Sequence, residues 1–184
     1  MVDRLLKREE EEMKRNPEQH LWIKGLELEL EKWMTMDIGG EEKKVRLHGV
    51  IDRIDQRGER VRLLDYKSAG IKAENVSLSL GKATNWQEAL MTKLKSRTKS
   101  YHLQLLTYAL LYNSTYGVTP DEVGIVSFIH TKESPFLFQM EEDVNPREIL
   151  TDLEEVLRLI LEEIYDTNHA FTHNPHSLYC TYCN

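Results

Sequence analysis

Apolar and polar positions change their period several times along the chain, and each change predicts an element. Residues 2–32 read as helix in two pieces, broken near Asn16-Pro17. Glu9 to Glu12, with Lys7, Arg8, Lys14 and Arg15, form a solvated face on the first piece. Leu21, Ile23, Leu26, Leu28 and Leu30 give the second piece its apolar surface. A strand from Trp33 to Ile38, a Gly39-Gly40 turn and two further strands follow, making a meander of about 32–38, 45–55 and 60–67. Residues 68–100 form a long polar connection with a short helix from Trp86 to Leu94. Residues 101–114 are the clearest helix, with Leu103, Leu106, Ala109, Leu110 and Tyr112 on its apolar side and Gly117 to Pro120 ending it. Val123 to Ile129 and Phe136 to Met140 read as strands. Asn145-Pro146 opens a long helix to about Tyr165, with helical spacing at 149, 150, 153, 156, 157, 160, 161 and 164. The order predicts an α/β domain whose mixed sheet begins antiparallel and is flanked by helices, 146–165 covering one face.

One stretch breaks the pattern of its own elements. Gly49-Val50-Ile51-Asp52-Arg53-Ile54-Asp55 and Val61-Arg62-Leu63-Leu64-Asp65-Tyr66-Lys67 read as a hairpin with carboxylates inside both strands. Acids are depleted there because an unpaired carboxylate is costly to bury, and such breaks of local rule mark functional sites. A two-residue loop at Arg57-Gly58, or a four-residue loop from Gln56 to Glu59, gives one register. In it Asp52 faces Leu63 and Asp65 faces Val50. Asp52, Asp65 and Lys67 then share a face, with the two acids diagonal neighbours roughly 7–8 Å apart. A three-residue loop would separate them. Asp55 falls on the opposite face, where Arg53 or Arg57 is its expected partner.

Composition narrows the function classes. The 184 residues suffice for one domain with a core, and 40% hydrophobic with 30% charged residues fits a globular protein. The net charge of −7 argues against a generally basic nucleic-acid coat but permits a local basic groove. Residues 71–101 carry six bases, Lys72, Lys82, Lys93, Lys95, Arg97 and Lys99, against Glu74 and Glu88, a local balance of +4. This segment reads either as a phosphate contact or as a solvated loop. No apolar run approaches membrane-spanning length, and the N-terminus lacks a signal peptide's apolar core, so a cytoplasmic location is expected. Cys180 and Cys183 are the only cysteines, and a Cys-x-x-Cys pair without an export signal points to metal or redox chemistry in a reducing compartment.

Gly49 to Asp55, then Asp65-Tyr66-Lys67-Ser68, then Gln104-Leu105-Leu106-Thr107-Tyr108 resembles the RecB-like branch of the PD-(D/E)XK nucleases, above all the nuclease domain of AddB-type helicase–nuclease subunits. Ala170-Phe171 through Pro175 to Cys180-Thr181-Tyr182-Cys183 resembles the same group, so the likeness runs from about residue 31 to the end. It implies a restriction-endonuclease-like fold and Mg²⁺- or Mn²⁺-dependent hydrolysis of DNA. It also implies a helicase partner in a longer polypeptide, of which this chain is expected to be the C-terminal portion. Asp52, Asp65 and the Tyr66 backbone carbonyl are the implied metal ligands. Lys67 would orient or deprotonate water, or stabilise developing charge. Gln104 and Tyr108, four apart on one helix face, match the family's Q-x-x-x-Y helix beside the active site.

Two departures from the family pattern bear on this expectation. The upstream G-x-x-x-H-like helix is missing, which leaves Glu27 or Glu31 as the acidic substitute. Glu31, which abuts the first predicted strand, is the preferred ligand. Some relatives hold a [4Fe–4S] cluster on four cysteines, whereas this chain has only Cys180 and Cys183, so no cluster is expected within it. Zinc with His173 or His176 would lack the usual spacing. The rival expectations are a catalytically inactive DNA-binding or scaffold module of the same fold, and a CRISPR- or phage-type exonuclease.

Overall fold

The computed structural model describes residues 2–78, 85–94, 101–140, 146–168 and 170. Val2–Arg15 is a helix, α1, which stops before Asn16-Pro17 as predicted. Leu21–Ile38 is a single strand, β1, so the second helical piece is corrected to strand. Leu26, Leu28 and Leu30 alternate with Glu27, Glu29 and Glu31, a period of two that a helix cannot gather on one face. Leu30, Met34, Met36 and Ile38 are buried on that same period. Pairing outweighs the helix propensity of Leu and Glu. From Ile38↔Glu41 to Leu21↔Arg57, β1 runs antiparallel to Glu41–Arg57, β2. Gly39 and Gly40 join them with φ of 65° and 82°, the left-handed pair that a tight two-residue hairpin loop requires.

Arg60–Lys67 is β3, and it pairs with β2 through Arg57↔Arg60, Ile54↔Leu63 and Arg53↔Leu64. The loop is Gly58-Glu59, one residue later than predicted, because Gly58 adopts φ 58° at the first loop position. Leu63 therefore faces Ile54 and not Asp52. The shift is by two residues, so within the paired segment, from Arg53↔Leu64 to Arg57↔Arg60, every side chain keeps its predicted face. Carried one step past the last pair, this register would set Asp52 opposite Asp65 instead of diagonal to it.

The remaining elements are β4 (Ser77–Leu78), α2 (Trp86–Leu94), α3 (His102–Tyr116), β5 (Glu122–Ser127), β6 (Phe136–Leu137), β7 (Gln139–Met140) and α4 (Pro146–Tyr165). The predicted strand from Phe136 to Met140 is split. Phe136-Leu137 joins the main sheet beside β5, and Gln139-Met140 pairs with β4 in a separate two-stranded sheet. The main sheet has the order β1-β2-β3-β5-β6, with β3 and β5 parallel and its other pairs antiparallel. A parallel pair needs a crossover, and α3 lies in the connection that provides it.

Helices α3 and α4 cover one face. Leu106, Ala109 and Leu110 of α3 meet Ile149, Leu150 and Leu153 of α4 over Met34, Met36 and Ile38. Beside them, Tyr108, Leu111 and Tyr112 pack on Leu30, Ile51, Ile54 and Leu63. On the other face α1 contributes one buried apolar residue, Leu5, against Leu64 and Val126. The rest of its docking is ionic. Glu9 lies 2.8 Å from Arg53, Glu12 lies 3.0 Å from Arg57, and Arg8 donates to the Thr131 carbonyl at 2.8 Å. Asp55 is on this face and fully buried between Arg62, at 2.7 and 3.0 Å, and Arg53, at 2.7 Å. Of its two expected partners Arg53 is present, Arg57 is taken by Glu12, and Arg62 is added.

Gly49 lets α3 approach the sheet. A Cβ at this position would come 3.1 Å from Leu111 Cδ1 and 3.2 Å from Tyr108 Cε1. Gly49→Val should therefore destabilise the protein by about 1–3 kcal/mol through overpacking. Urea unfolding followed by circular dichroism measures this, and an unchanged midpoint would contradict the packing account.

Candidate active site

The site forms where β2 and β3 separate. Their backbone pairing ends at Arg53↔Leu64. One residue further, the Asp52 side chain replaces a backbone acceptor, and its Oδ2 takes the Tyr66 N–H at 2.7 Å. Upstream of Asp52, β2 pairs with β1, while β3 continues along β5 to Lys67↔Ser127. The edge of β3 at Asp65, Tyr66 and Lys67 is thereby released from β2.

The strand alternation breaks at the same place. Ile51 and Ile54, three apart, pack into one cluster under α3, so Asp52-Arg53 spans a switch of face. On β1 the pairs Leu26↔Arg53 and Leu28↔Ile51 flank Glu27, which has φ 48°. A non-glycine residue in the left-handed region is uncommon in a strand, and such strain concentrates at functional sites.

Four side chains converge on Asp65, which is 3% exposed. Its Oδ1 accepts from Gln104 Nε2 at 2.8 Å and from the Tyr108 hydroxyl at 3.3 Å. Gln104 Nε2 also donates to Tyr108 Oη at 2.8 Å, which fixes both side chains at their four-residue spacing. Lys67 Nζ sits 2.7 Å from Oδ2 as an ion pair. Asp52 approaches from the opposite strand. Burial pushes the Asp65 carboxyl above the usual aspartate range; the Lys67 ammonium opposes this, and the Asp52 charge adds to it. Burial pushes the Tyr108 phenol up to about 12, so it stays protonated and donates.

The donor set suits a hard divalent cation. Asp52 and Asp65 supply carboxylate oxygens, and Tyr66, the residue after Asp65, carries a backbone carbonyl beside them. Asp65 Oδ2 is buried, and its close partner is the Lys67 ammonium at 2.7 Å. A buried carboxylate oxygen that already faces positive charge fits a cation ligand. Among the described residues, no group of three or more His, Cys, Asp and Glu side chains assembles at this or any other place.

The structure does not bring Glu31 to this pair. Its carboxylate is 2.7 Å from Arg46, opposite His48, four residues along β2 from Asp52. Glu27, the other acid considered, is the residue across β1 from Asp52, and its side chain makes no hydrogen bond or ion pair with the described residues. Cys180, Cys183, His173 and His176 lie outside the described residues. So do Lys82, Lys95, Arg97 and Lys99 of the basic segment, while Lys72 lies 3.9 Å from Glu74.

Two further residues border the site: Arg53, expected from sequence only as a partner of Asp55, and Tyr101, which the sequence did not single out. Arg53 Nη1 donates to Glu9 at 2.8 Å and to the Tyr66 hydroxyl at 3.1 Å, tying α1 to the residue between Asp65 and Lys67. The Tyr101 ring lies 5.5 Å from Lys67 Nζ. Tyr101 precedes Gln104 by three positions, a helical spacing that could have pointed to it.

A mixed sheet that gathers two acids and a lysine where neighbouring strands separate, backed by helices, has the architecture of an α/β nuclease. The family model of the PD-(D/E)XK nuclease superfamily matches residues 1–184, and the chain belongs to that superfamily. Its five-stranded sheet flanked by helices is the restriction-endonuclease-like fold. Membership implies phosphodiesterase nuclease activity with DNA as substrate, and PD-(D/E)XK nucleases typically use divalent metals such as Mg²⁺. No curated protein sequence matches the chain. Among the described residues, no helix is long and apolar enough to cross a membrane.

The raised Asp65 carboxyl has a consequence for stability. Between the ordinary 3.8 and its higher folded value, the native state binds more protons than the unfolded state. Stability therefore falls as pH rises through that window, and at pH 7 the ionised group is a net penalty. In EDTA at pH 7, Asp65→Asn should raise Tm, and the gain should vanish below the window, where Asp65 is protonated in the folded and the unfolded state alike. A calorimetric Tm lower than wild type at pH 7 would contradict this reading.

Proposed function

We propose that the chain is a Mg²⁺-dependent deoxyribonuclease. It acts as the nuclease module of a helicase–nuclease in DNA recombination and repair, and degrades DNA as an exonuclease. The observation that carries the chemical side of this reading is the convergence of Lys67, Gln104 and Tyr108 on buried Asp65, with Asp52 on the facing strand. The order of the three motifs, which resembles the RecB-like branch, supports the biological side.

Asp52, Asp65 and the Tyr66 carbonyl hold Mg²⁺ or Mn²⁺ in this reading. The bound cation supplies charge that polarises the phosphate and lowers the pKa of water. Gln104 and Tyr108 clamp Asp65 Oδ1 and would hold the carboxylate in place for the cation. Tyr66 N–H holds the Asp52 carboxylate in one rotamer. Lys67 presents its ammonium to the attacking water or to the charge that develops on the phosphate oxygens. Glu31, held by Arg46, is left out of this set, and Glu27 is the nearer acid along the strands.

A second reading has one observation in its favour: no third acidic or histidine side chain joins Asp52 and Asp65 among the described residues. It makes the chain a non-catalytic DNA-binding module of the same fold. A single assay distinguishes the two readings. Linear duplex and single-stranded DNA, labelled at the 5′ or the 3′ end, are incubated with the protein and Mg²⁺, Mn²⁺ or EDTA. The nuclease reading predicts metal-dependent shortening from an end, lost in EDTA and reduced by about 100-fold or more in Asp65→Ala and Lys67→Ala. Wild type and Asp65→Ala behaving alike would overturn it.

A further inference from the structure

We propose that Tyr101 is a positioning residue for Lys67, its ring face holding the lysine ammonium in place when Asp65 is engaged elsewhere. The proposal deepens the nuclease reading and rests on it for the task given to Lys67. Lys67 Nζ has two neighbours of opposite character. On one side is Asp65 Oδ2 at 2.7 Å, and on the other is the Tyr101 ring, with its centroid 5.5 Å away. An ammonium within about 6 Å of an aromatic face is attracted by the ring's quadrupole.

The surroundings of Tyr101 fit it for that task. It is the residue immediately before α3, and its carbonyl accepts the Leu105 N–H at 3.0 Å. Its own N–H donates to the Asn75 carbonyl at 3.0 Å. Asn75 is itself buried, and its Oδ1 accepts the Lys72 N–H at 2.8 Å. The ring packs beside Ile71, Val76, Leu105 and Ile125. The backbone is thus pinned on both sides of the peptide and the ring is wedged against the core. Tyr101, Gln104 and Tyr108 follow one another at three- and four-residue spacing, so one helix face supplies a contact to Lys67 and two to Asp65.

A divalent cation changes the balance at Lys67. Asp65 Oδ2 cannot serve a cation and an ammonium equally, since the two positive charges repel. With Asp65 drawn to the cation, the ion pair weakens and the flexible four-carbon stem of Lys67 is free to swing into solvent. The neutral Tyr101 face attracts the ammonium without competing for the cation. It keeps Lys67 beside the reaction centre in the loaded state, when it is needed.

The test combines a spectroscopic and a kinetic readout on Tyr101→Phe, Tyr101→Leu and a variant with 3,4,5-trifluorophenylalanine at position 101. The fluorinated ring keeps the shape of phenylalanine and loses the negative face, so it serves even where the leucine variant folds poorly. Without DNA, the Lys67 ε-protons should show an upfield ring-current shift in wild type and Tyr101→Phe that persists on adding Mg²⁺ and disappears in Tyr101→Leu. With DNA, Tyr101→Phe should keep kcat within about two-fold, and the fluorinated and leucine variants should lose about ten-fold in kcat with KM unchanged. A merely structural role would lower Tm and kcat together in all three. The proposal is overturned if Lys67 shows no ring-current shift, if the fluorinated variant matches Tyr101→Phe in kcat, or if Tyr101→Phe falls as far as Tyr101→Leu. If the wild type does not cleave DNA, the nuclease reading fails with it; the ring-current shift, read on the same samples, still decides whether Tyr101 holds the lysine.

Discussion

A single side-chain-to-backbone hydrogen bond shapes the site: the Asp52 carboxylate accepting the Tyr66 N–H at 2.7 Å. It satisfies a donor that would lose its partner when β2 leaves β3, and an unsatisfied buried N–H is costly. The strands can therefore diverge immediately beyond Arg53↔Leu64. Asp65 and Lys67, still supported by β5, are left beside a gap and not beneath a continuous ladder. The same bond fixes Asp52, so the two acids are positioned against each other before any ligand arrives. That is the pre-organisation a charge-stabilising site requires.

The two faces of the sheet serve this opening differently. The α3 face supplies the hydrogen-bond donors to Asp65, and Gly49 allows the close approach that puts Tyr108 there. The α1 face supplies an ionic layer of buried Arg53, Asp55 and Arg62 with half-buried Glu9. Buried charges of this kind are weak sources of stability but discriminate strongly between arrangements. Here Arg53 also reaches the Tyr66 hydroxyl, and the Tyr66 ring stacks on Phe128 at 5.4 Å. Tyr66 is thus held by its side chain on one face while its neighbours Asp65 and Lys67 point to the other. Glu27, in the left-handed region between the pairs Leu26↔Arg53 and Leu28↔Ile51, places backbone strain on the strand beside the same opening.

Much of this was legible in the residues. Acids set among Val, Ile and Leu disclosed the hairpin, and parity alone placed Asp52, Asp65 and Lys67 on one face and Asp55 on the other. The spacing of Gln104 and Tyr108, and the apolar period of α4, were also sufficient. The first strand was not. Leu and Glu are good helix formers, and only the long partner strand β2 turned their alternation into β1. The loop register was off by one residue because the decision lay with the φ of Gly58, which composition does not reveal. Glu31 was chosen for its place beside a predicted strand, and it is Arg46 on the neighbouring strand that claims it. Arg53 was expected beside Asp55 and is there, while Arg62 is added because the shifted register sets it opposite Asp55. The contact of the Tyr101 ring with Lys67 joins elements far apart in the chain, which no local pattern encodes.

The central claim is that Asp52 and Asp65 form a cation site at the opening between β2 and β3. Crystals soaked in Mn²⁺ and measured at the manganese edge test it directly. The account predicts an anomalous peak ligated by the carboxylates of Asp52 and Asp65, and no such peak in Asp65→Ala. A peak elsewhere with none at this pair, or none at saturating Mn²⁺, would contradict it.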